Sequence, residues 1–225
     1  MRTIASDFDN TLFVKDEQQF LNNIEAIRNF IDRGNTFIII TGRSFSNIKQ
    51  EINKYNIPYK YLVCQDGANI FDDKDNCLKS NLLDKNKSER IEDYLKNNNL
   101  EYSFESAYND NDTIDNAVKI TVTLKEEDNP YEILEKIKNV ENIYSYVSTK
   151  HINIIDYNVN KSNALTYLIN NNYIDNNITV IGDDINDYEM LEKFHGVIMK
   201  KHDTILDDLN KEEIDSLQSY LDRIQ

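Results

Sequence analysis

Short apolar runs that each break at once into a polar turn constrain this chain more than any other feature. They cover residues 3–6, 37–40, 61–64, 178–181 and 197–199. With only five glycines among 225 residues, the place of each one is informative: Gly42, Gly67 and Gly182 follow runs, and Gly34 and Gly196 precede them. Glycine there lets the backbone turn sharply or approach a ligand without a Cβ in the way. Between the runs lie helix-periodic stretches at 16–33, 44–55, 161–171, 185–194 and 211–224. Apolar strands alternating with amphipathic helices belong to a parallel sheet covered on both faces, because only there is a strand buried on two sides. The pattern predicts a doubly wound α/β core.

Residues 79–158 break that rhythm. Helix-like 84–96 precedes alternating runs at 102–108 and 117–124, and helix-like 131–139 precedes alternating runs at 143–148 and 152–157. Period-2 alternation suits an antiparallel sheet with one solvated face. The sequence therefore predicts an inserted α+β domain over 79–158, built helix–strand–strand twice, within a core formed by 1–78 and 159–225. A length of 225 residues, about one and a half domains by the usual prior, agrees.

Charge and hydropathy narrow the class of partner. Lys and Arg number 25 against 40 Asp and Glu, a net charge of −15 that repels nucleic acid and anionic membranes, and no basic stripe offsets it. Hydrophobic residues at 40% are enough for a core. The longest apolar stretch, 37–40, is far short of a membrane span, and the start of the chain runs into charge with no signal-like segment, so a soluble, cytoplasmic protein is expected. Cys64 and Cys77 form no metal-binding or disulfide pattern and read as idle thiols.

Carboxylates and hydroxyls gather where the core runs end. In an open α/β sheet ligands bind beyond the carboxyl ends of the strands, which puts Asp7 and Asp9 at the predicted site mouth. Such a pair can hold a hard cation such as Mg2+ and divide nucleophile and proton-transfer roles; equally, one caps the next helix while the other is solvated. Thr41-Gly42-Arg43-Ser44 follows the second run. A hydroxyl, a freed backbone and a helix N-terminus make a phosphate cradle there, or Ser44 simply caps a helix. Lys161 opens a helix directly after the insertion, against the positive end of the helix dipole. Asp183, Asp184 and Asp187 follow Gly182. Three carboxylates this close repel one another unless a cation sits among them, whereas an acidic helix start explains Asp184 and not the cluster.

In the order aspartate pair, threonine, lysine, aspartate cluster, these segments resemble the haloacid dehalogenase superfamily. The insertion between Gly67-Ala68 and Lys161 resembles the type IIB cap of its Cof-like sugar-phosphate phosphatases. The resemblance covers essentially the whole chain and implies a Rossmann-like core with an inserted cap. It implies that Asp7 is the nucleophile and that Asp9 is general acid, then base, offering its backbone carbonyl to Mg2+. Thr41, with Gly42 and Arg43, would contact the phosphoryl group, and Lys161 would neutralise it and orient Asp7. Asp183 would be the third protein ligand of the metal, Asn186 a phosphate contact and Asp187 a carboxylate of the metal site. Two positions depart from the pattern: Asp66 stands where these phosphatases usually carry Asn, and Asn10 where many relatives have Gly.

The implied activity is Mg2+-dependent hydrolysis of a small phosphorylated metabolite, a sugar phosphate, through an aspartyl-phosphate; a monomer is the default, since no long heptad pattern or contiguous apolar face singles out an interface. Phosphotransfer to a second hydroxyl, as in a phosphomutase, uses the same residues. A phospho-receiver is disfavoured by the domain-sized insertion and by Asp9, and a non-catalytic phosphate-binding relative by the presence of Asp7, Asp9 and Lys161 together. Of the cap aromatics, Tyr102, Phe104, Tyr108, Tyr144 and Tyr146, most are expected to be the cap's own core.

Overall fold

The computed structural model describes residues 1–138, 143–148 and 150–224. The chain begins β1 (Thr3–Asp7), α1 (Glu17–Asp32), β2 (Thr36–Ile40), α2 (Phe45–Tyr55), β3 (Tyr61–Cys64), β4 (Asn69–Asp72), β5 (Cys77–Ser80). It continues α3 (Lys85–Asn97), β6 (Glu101–Glu105), β7 (Lys119–Thr123), α4 (Pro130–Lys138), β8 (Ile143–Ser148), β9 (His151–Asp156). It closes with α5 (Lys161–Asn170), β10 (Ile178–Gly182), α6 (Tyr188–Lys193), β11 (His195–Met199), β12 (Glu212–Ile214) and α7 (Leu217–Arg223).

Eight strands form one sheet in the order β12-β11-β10-β1-β2-β3-β4-β5. It is parallel from β12 to β3 and antiparallel across β3, β4 and β5. The run 37–40 is apolar without interruption because its two faces feed two cores. Phe37 and Ile39 pack with Phe20, Ile24 and Ile27 of α1 and Ile48 of α2, while Ile38 and Ile40 pack with Leu165 and Leu168 of α5. Because β1 sits between β2 and β10, the connections diverge on either side of it, and such a switch point leaves a crevice beyond the strand ends. Asp7 is the last residue of β1.

The second sheet, β6-β7-β9-β8, is antiparallel throughout. One face carries Phe104, Ile120, Val122, Ile152 and Ile154 and is covered by Ile91 and Leu95 of α3 and Ile133, Leu134 and Ile137 of α4. The elements here run α3-β6-β7 and then α4-β8-β9; Asn139, the last residue of the helix expected over 131–139, lies outside the described residues.

Two expectations need correction, and one element is not anticipated. The stretch 211–224 is not one helix: β12 pairs with β11 at the sheet edge, burying Ile214, and Ser216 then caps α7 through a reciprocal capping box. The hairpin β4–β5, which no run singles out, extends the core sheet. Most of the cap aromatics are not cap core. Tyr102 and Phe104 pack there, but Tyr108 lies against Phe45 and Phe71, and Tyr144 and Tyr146 border clefts shared with the core. Among the described residues no helix is long and apolar enough to cross a membrane.

Candidate active site

The carboxyl ends of β1 and β10 bring Asp7 and Asp183 together, and the start of α5 places Lys161 between their loops. Lys161 Nζ lies 2.6 Å from Asp7 Oδ1 and 2.6 Å from Asp187 Oδ1, with Asn186 Oδ1 at 3.4 Å. Lys161 and Asp187 are 1% and 0% exposed. A buried ammonium is stable only when paired, and two carboxylates hold this one at the helix start that the dipole disfavours. Asn160 caps α5, its side chain accepting from Asn163 N at 2.6 Å.

Asp187 is anchored by the backbone as well. Its Oδ2 accepts from Asp183 N at 2.9 Å and Asp184 N at 3.1 Å, and the absence of a side chain at Gly182 makes room for it. Asp183 Oδ1 accepts from Thr11 Oγ1 at 2.8 Å. One carboxylate oxygen from each of Asp7, Asp183 and Asp187 lies within 4.8 Å of the other two. Burial pushes the Asp183 carboxyl up to about 7, with the charge of Asp187 adding and the Thr11 hydrogen bond opposing. Burial likewise holds Asp7 well above the usual carboxylate range, against the pull of Lys161. Burial works to lower Lys161, but Asp187 and Asp7 keep it above the ordinary lysine range. The site thus concentrates negative charge that one ammonium does not neutralise, the setting in which oxygen ligands take up a divalent cation.

Asp9 stands apart from this cluster. Arg43 grips it with both arms of a fork, Nε to Oδ2 at 2.8 Å and Nη2 to Oδ1 at 2.6 Å, and the guanidinium lies over the Phe8 ring, 4.9 Å from its centroid. Asn10 takes the left-handed conformation (φ 60°) that Gly or Asn supplies at such a turn. Thr41 is buried one residue beyond Ile40, the partner of Asp7 in the sheet register. Its Oγ1 accepts from Arg43 N at 3.1 Å. Ser44 caps α2, accepting from Asn47 N at 3.4 Å, so cap and cradle readings of this segment are compatible.

A cavity of about 700 Å3 opens between this cluster and the cap, lined by Asp7, Asp9, Arg43 and Asp183 below. Above it lie Glu105, Lys119, Thr121 and Tyr146, on the sheet face opposite the cap helices. Lys119 reaches down to Gly42 O at 3.2 Å, and Tyr146 donates its hydroxyl to Asp66 Oδ2. Asn186 Nδ2 donates to the other oxygen of Asp66 at 3.0 Å. Asp66 itself is buried in the left-handed region, φ 57°. Sequence reading left Lys119 and Tyr146 unassigned. The signal for Lys119 is a lone charge inside the apolar alternation Ala117–Leu124; Tyr146 has none, because its partner is 80 residues away.

Residues 4–111 and 103–218 match the sequence profile of a family described as haloacid dehalogenase-like hydrolase. Two proteins of Bacillus subtilis (strain 168), both named 5-amino-6-(5-phospho-D-ribitylamino)uracil phosphatase, are similar. YwtE is 31% identical over 100 residues, covering 44% of this chain and 34% of that protein, so the match spans about a third of YwtE. YcsE is 25% identical over 203 residues, covering 86% of this chain and 81% of that protein. The solved HAD subclass IIB sugar phosphatase BT4131 shares the fold, with a TM-score of 0.82 at 14% identity over 100% of this chain and 99% of that one.

Proposed function

The chain belongs to the haloacid dehalogenase-like hydrolases, and from that membership we propose that it is a Mg2+-dependent cytoplasmic phosphatase of a small phosphate monoester of a sugar or sugar alcohol. The observation that carries this reading is the bridging of Asp7 and Asp187 by Lys161, with Asp183 in the same cluster. The two B. subtilis relatives are named for a ribitylaminouracil phosphate, which makes the sugar-alcohol part the first substrate feature to test.

The donor set fits Mg2+, being all oxygen, buried and in excess of its cations. Asp7 and Asp183, with the Asp9 carbonyl, would hold the ion. Asp187 has its oxygens committed to Lys161 and to two amides, so it serves the site by fixing Lys161. Mg2+, when bound, supplies positive charge that offsets these carboxylates and an incoming phosphate dianion.

In this mechanism Lys161 occupies Asp7 Oδ1 and leaves the other carboxylate oxygen to attack phosphorus. The P–O bond to the alcohol breaks as Asp9 gives its proton to the departing oxygen, leaving an aspartyl-phosphate on Asp7. Water then attacks that phosphorus, Asp9 takes its proton, the P–O bond to Asp7 breaks, and inorganic phosphate leaves. General acid–base help of this kind contributes roughly 10²–10⁴-fold. Asp9 performs it only after the Arg43 fork opens, because both its oxygens are engaged.

The test is hydrolysis of p-nitrophenyl phosphate with Mg2+ by wild type and Asp7→Asn, with intact-mass detection of phosphoenzyme. Turnover and a phosphorylated wild type, with an inert but folded variant, are expected. A variant as active as wild type would overturn the proposal.

A further inference from the structure

A second cleft, about 600 Å3, lies beside the active-site cavity between cap and core. Ten large apolar or aromatic side chains are exposed among the described residues, and four of them, Tyr144, Tyr157, Ile185 and Ile205, line this one cleft. Single exposed apolar residues are ordinary, whereas their concentration in one concavity marks a binding surface. The volume is that of small-molecule pockets, roughly 300–1,000 Å3.

The chemistry of the walls narrows the occupant. The rings of Tyr144, Tyr157 and Tyr188 offer flat faces, and their hydroxyls make no hydrogen bond among the described residues. Glu189 and Asp208 add negative charge, and the lining cation, Lys161, is committed to Asp7 and Asp187. An anion is therefore unwelcome, and a bare polyol would leave the tyrosine faces and isoleucines wet. A flat ring with polar edges satisfies both the faces and the free hydroxyls.

The cleft shares Tyr146 and Asn186 with the catalytic cavity, and the Tyr146–Asp66–Asn186 hydrogen bonds form the wall between them. We propose that this cleft binds a planar, uncharged heterocyclic ring with hydrogen-bonding edges, next to the phosphoryl site. The ring comes either with the alcohol part of the phosphoester, in which case the inference rests on the phosphatase reading above, or as a free effector.

Uridine 5′-monophosphate and ribose 5-phosphate carry the same phosphoester with and without such a ring, and acetyl phosphate reports phosphoryl hydrolysis with almost no leaving group. Equilibrium dialysis with uridine and adenosine reports ring binding without catalysis. Wild type is compared with Tyr157→Ala and Tyr144→Ala, both at exposed positions where truncation leaves the fold intact. If the ring belongs to the substrate, the KM of uridine 5′-monophosphate is at least about fivefold below that of ribose 5-phosphate. The variants then raise the former about fivefold more than the latter, the low end of a lost base–aromatic stack. If the ring is an effector, a nucleoside binds, binds more weakly to the variants, and alters ribose 5-phosphate turnover with no preference between the two esters. Equal KM values together with no nucleoside binding at ~10 mM, about tenfold above the usual ~1 mM upper end of KM values, overturn the proposal. If no ester is hydrolysed, acetyl phosphate included, the phosphatase reading falls, and dialysis alone decides the ring site.

Discussion

Tyr146 of the cap donates its hydroxyl to Asp66 of the core, and this bond ties the cap to the edge of the active site. Asp66 is acceptor-only when ionised, so its other oxygen takes Asn186 Nδ2 and thereby turns Asn186 Oδ1 toward Lys161. A cap residue is thus linked through two side chains to the group that holds Asp7.

Tyr146→Phe should therefore weaken more than the cap. A hydrogen bond to a charged group contributes ~1.5–3 kcal/mol, so stability and kcat/KM should both fall, the latter about tenfold. Asp66→Asn keeps a residue that tolerates φ 57°, and should fold. A double-mutant cycle should give a coupling near 1 kcal/mol or more between the two positions, read by denaturant unfolding and by kcat/KM. Strict additivity in both readouts would show that the contact carries neither stability nor positioning.

Lys161→Met removes the only ammonium among three buried carboxylates. Breaking a buried ion pair from one side costs ~3–5 kcal/mol, since the remaining charges stay unpaired. In a chain of this size that lowers Tm by about 6 °C or more in excess chelator. Mg2+ should restore part of the loss, because it returns positive charge to the same oxygens, while turnover stays negligible. Calorimetry in chelator and in Mg2+ checks this; an unchanged Tm in chelator would mean that the pairs add nothing to the fold.

If Asp183 holds Mg2+ as proposed, its raised carboxyl should set the pH dependence of metal binding. An unfolded aspartate titrates near ~3.9, whereas Asp183 in the fold is pushed up to about 7 by burial. Between these values Asp183 holds a proton in the folded, metal-free chain that it has lost in the unfolded one, so its contribution to stability falls as pH rises through this window and levels off above about 7. Mg2+ must displace that proton, and its affinity should rise roughly tenfold from pH 6 to pH 8, with proton release. Titration calorimetry in buffers of different ionisation enthalpy reads both quantities, and equal affinities at the two pH values would refute the assignment of Asp183 to the ion.

The core and its chemistry are legible for one reason: strands buried on both faces must be apolar throughout, so polar residues are expelled to their ends. That places Asp7, Thr41 and Asp183 at one edge on sequence alone, and Lys161 follows from its awkward helix position. What the sequence conceals depends on docking. Glu212–Ile214 reads as helix because Ile214, Leu217 and Leu221 keep a helical spacing, yet the open edge of β11 captures the first three residues as a strand. Tyr146 meets Asp66, and Lys119 meets Gly42, only because the cap settles on the core. No local pattern encodes a contact between residues 66 and 146. Arg43 reads in the sequence only as a cation beside Thr41 and Gly42, whereas its fork on Asp9 joins segments 34 residues apart.

Gly182→Ala offers the sharpest test of how tightly the acidic cluster is built. A Cβ there would lie 2.4 Å from Asp187 Cγ and 2.5 Å from Oδ2, distances no atom pair sustains. Asp187 has nowhere to retreat, since its oxygens hold Lys161 and the amides of Asp183 and Asp184. The carboxylate must leave one of these partners, and Lys161 then shifts with it. We expect kcat to fall at least about tenfold, the effect of one lost charge-assisted contact, along with Tm. Gly34→Ala is the control: its φ of +81° strains an alanine by ~1–2 kcal/mol, but nothing lies within 4 Å of the added carbon, so Tm falls while kcat holds. If Gly182→Ala behaved like Gly34→Ala, with stability lowered and turnover intact, the close packing at Gly182 would serve the fold alone and Asp187 would have no part in positioning Lys161.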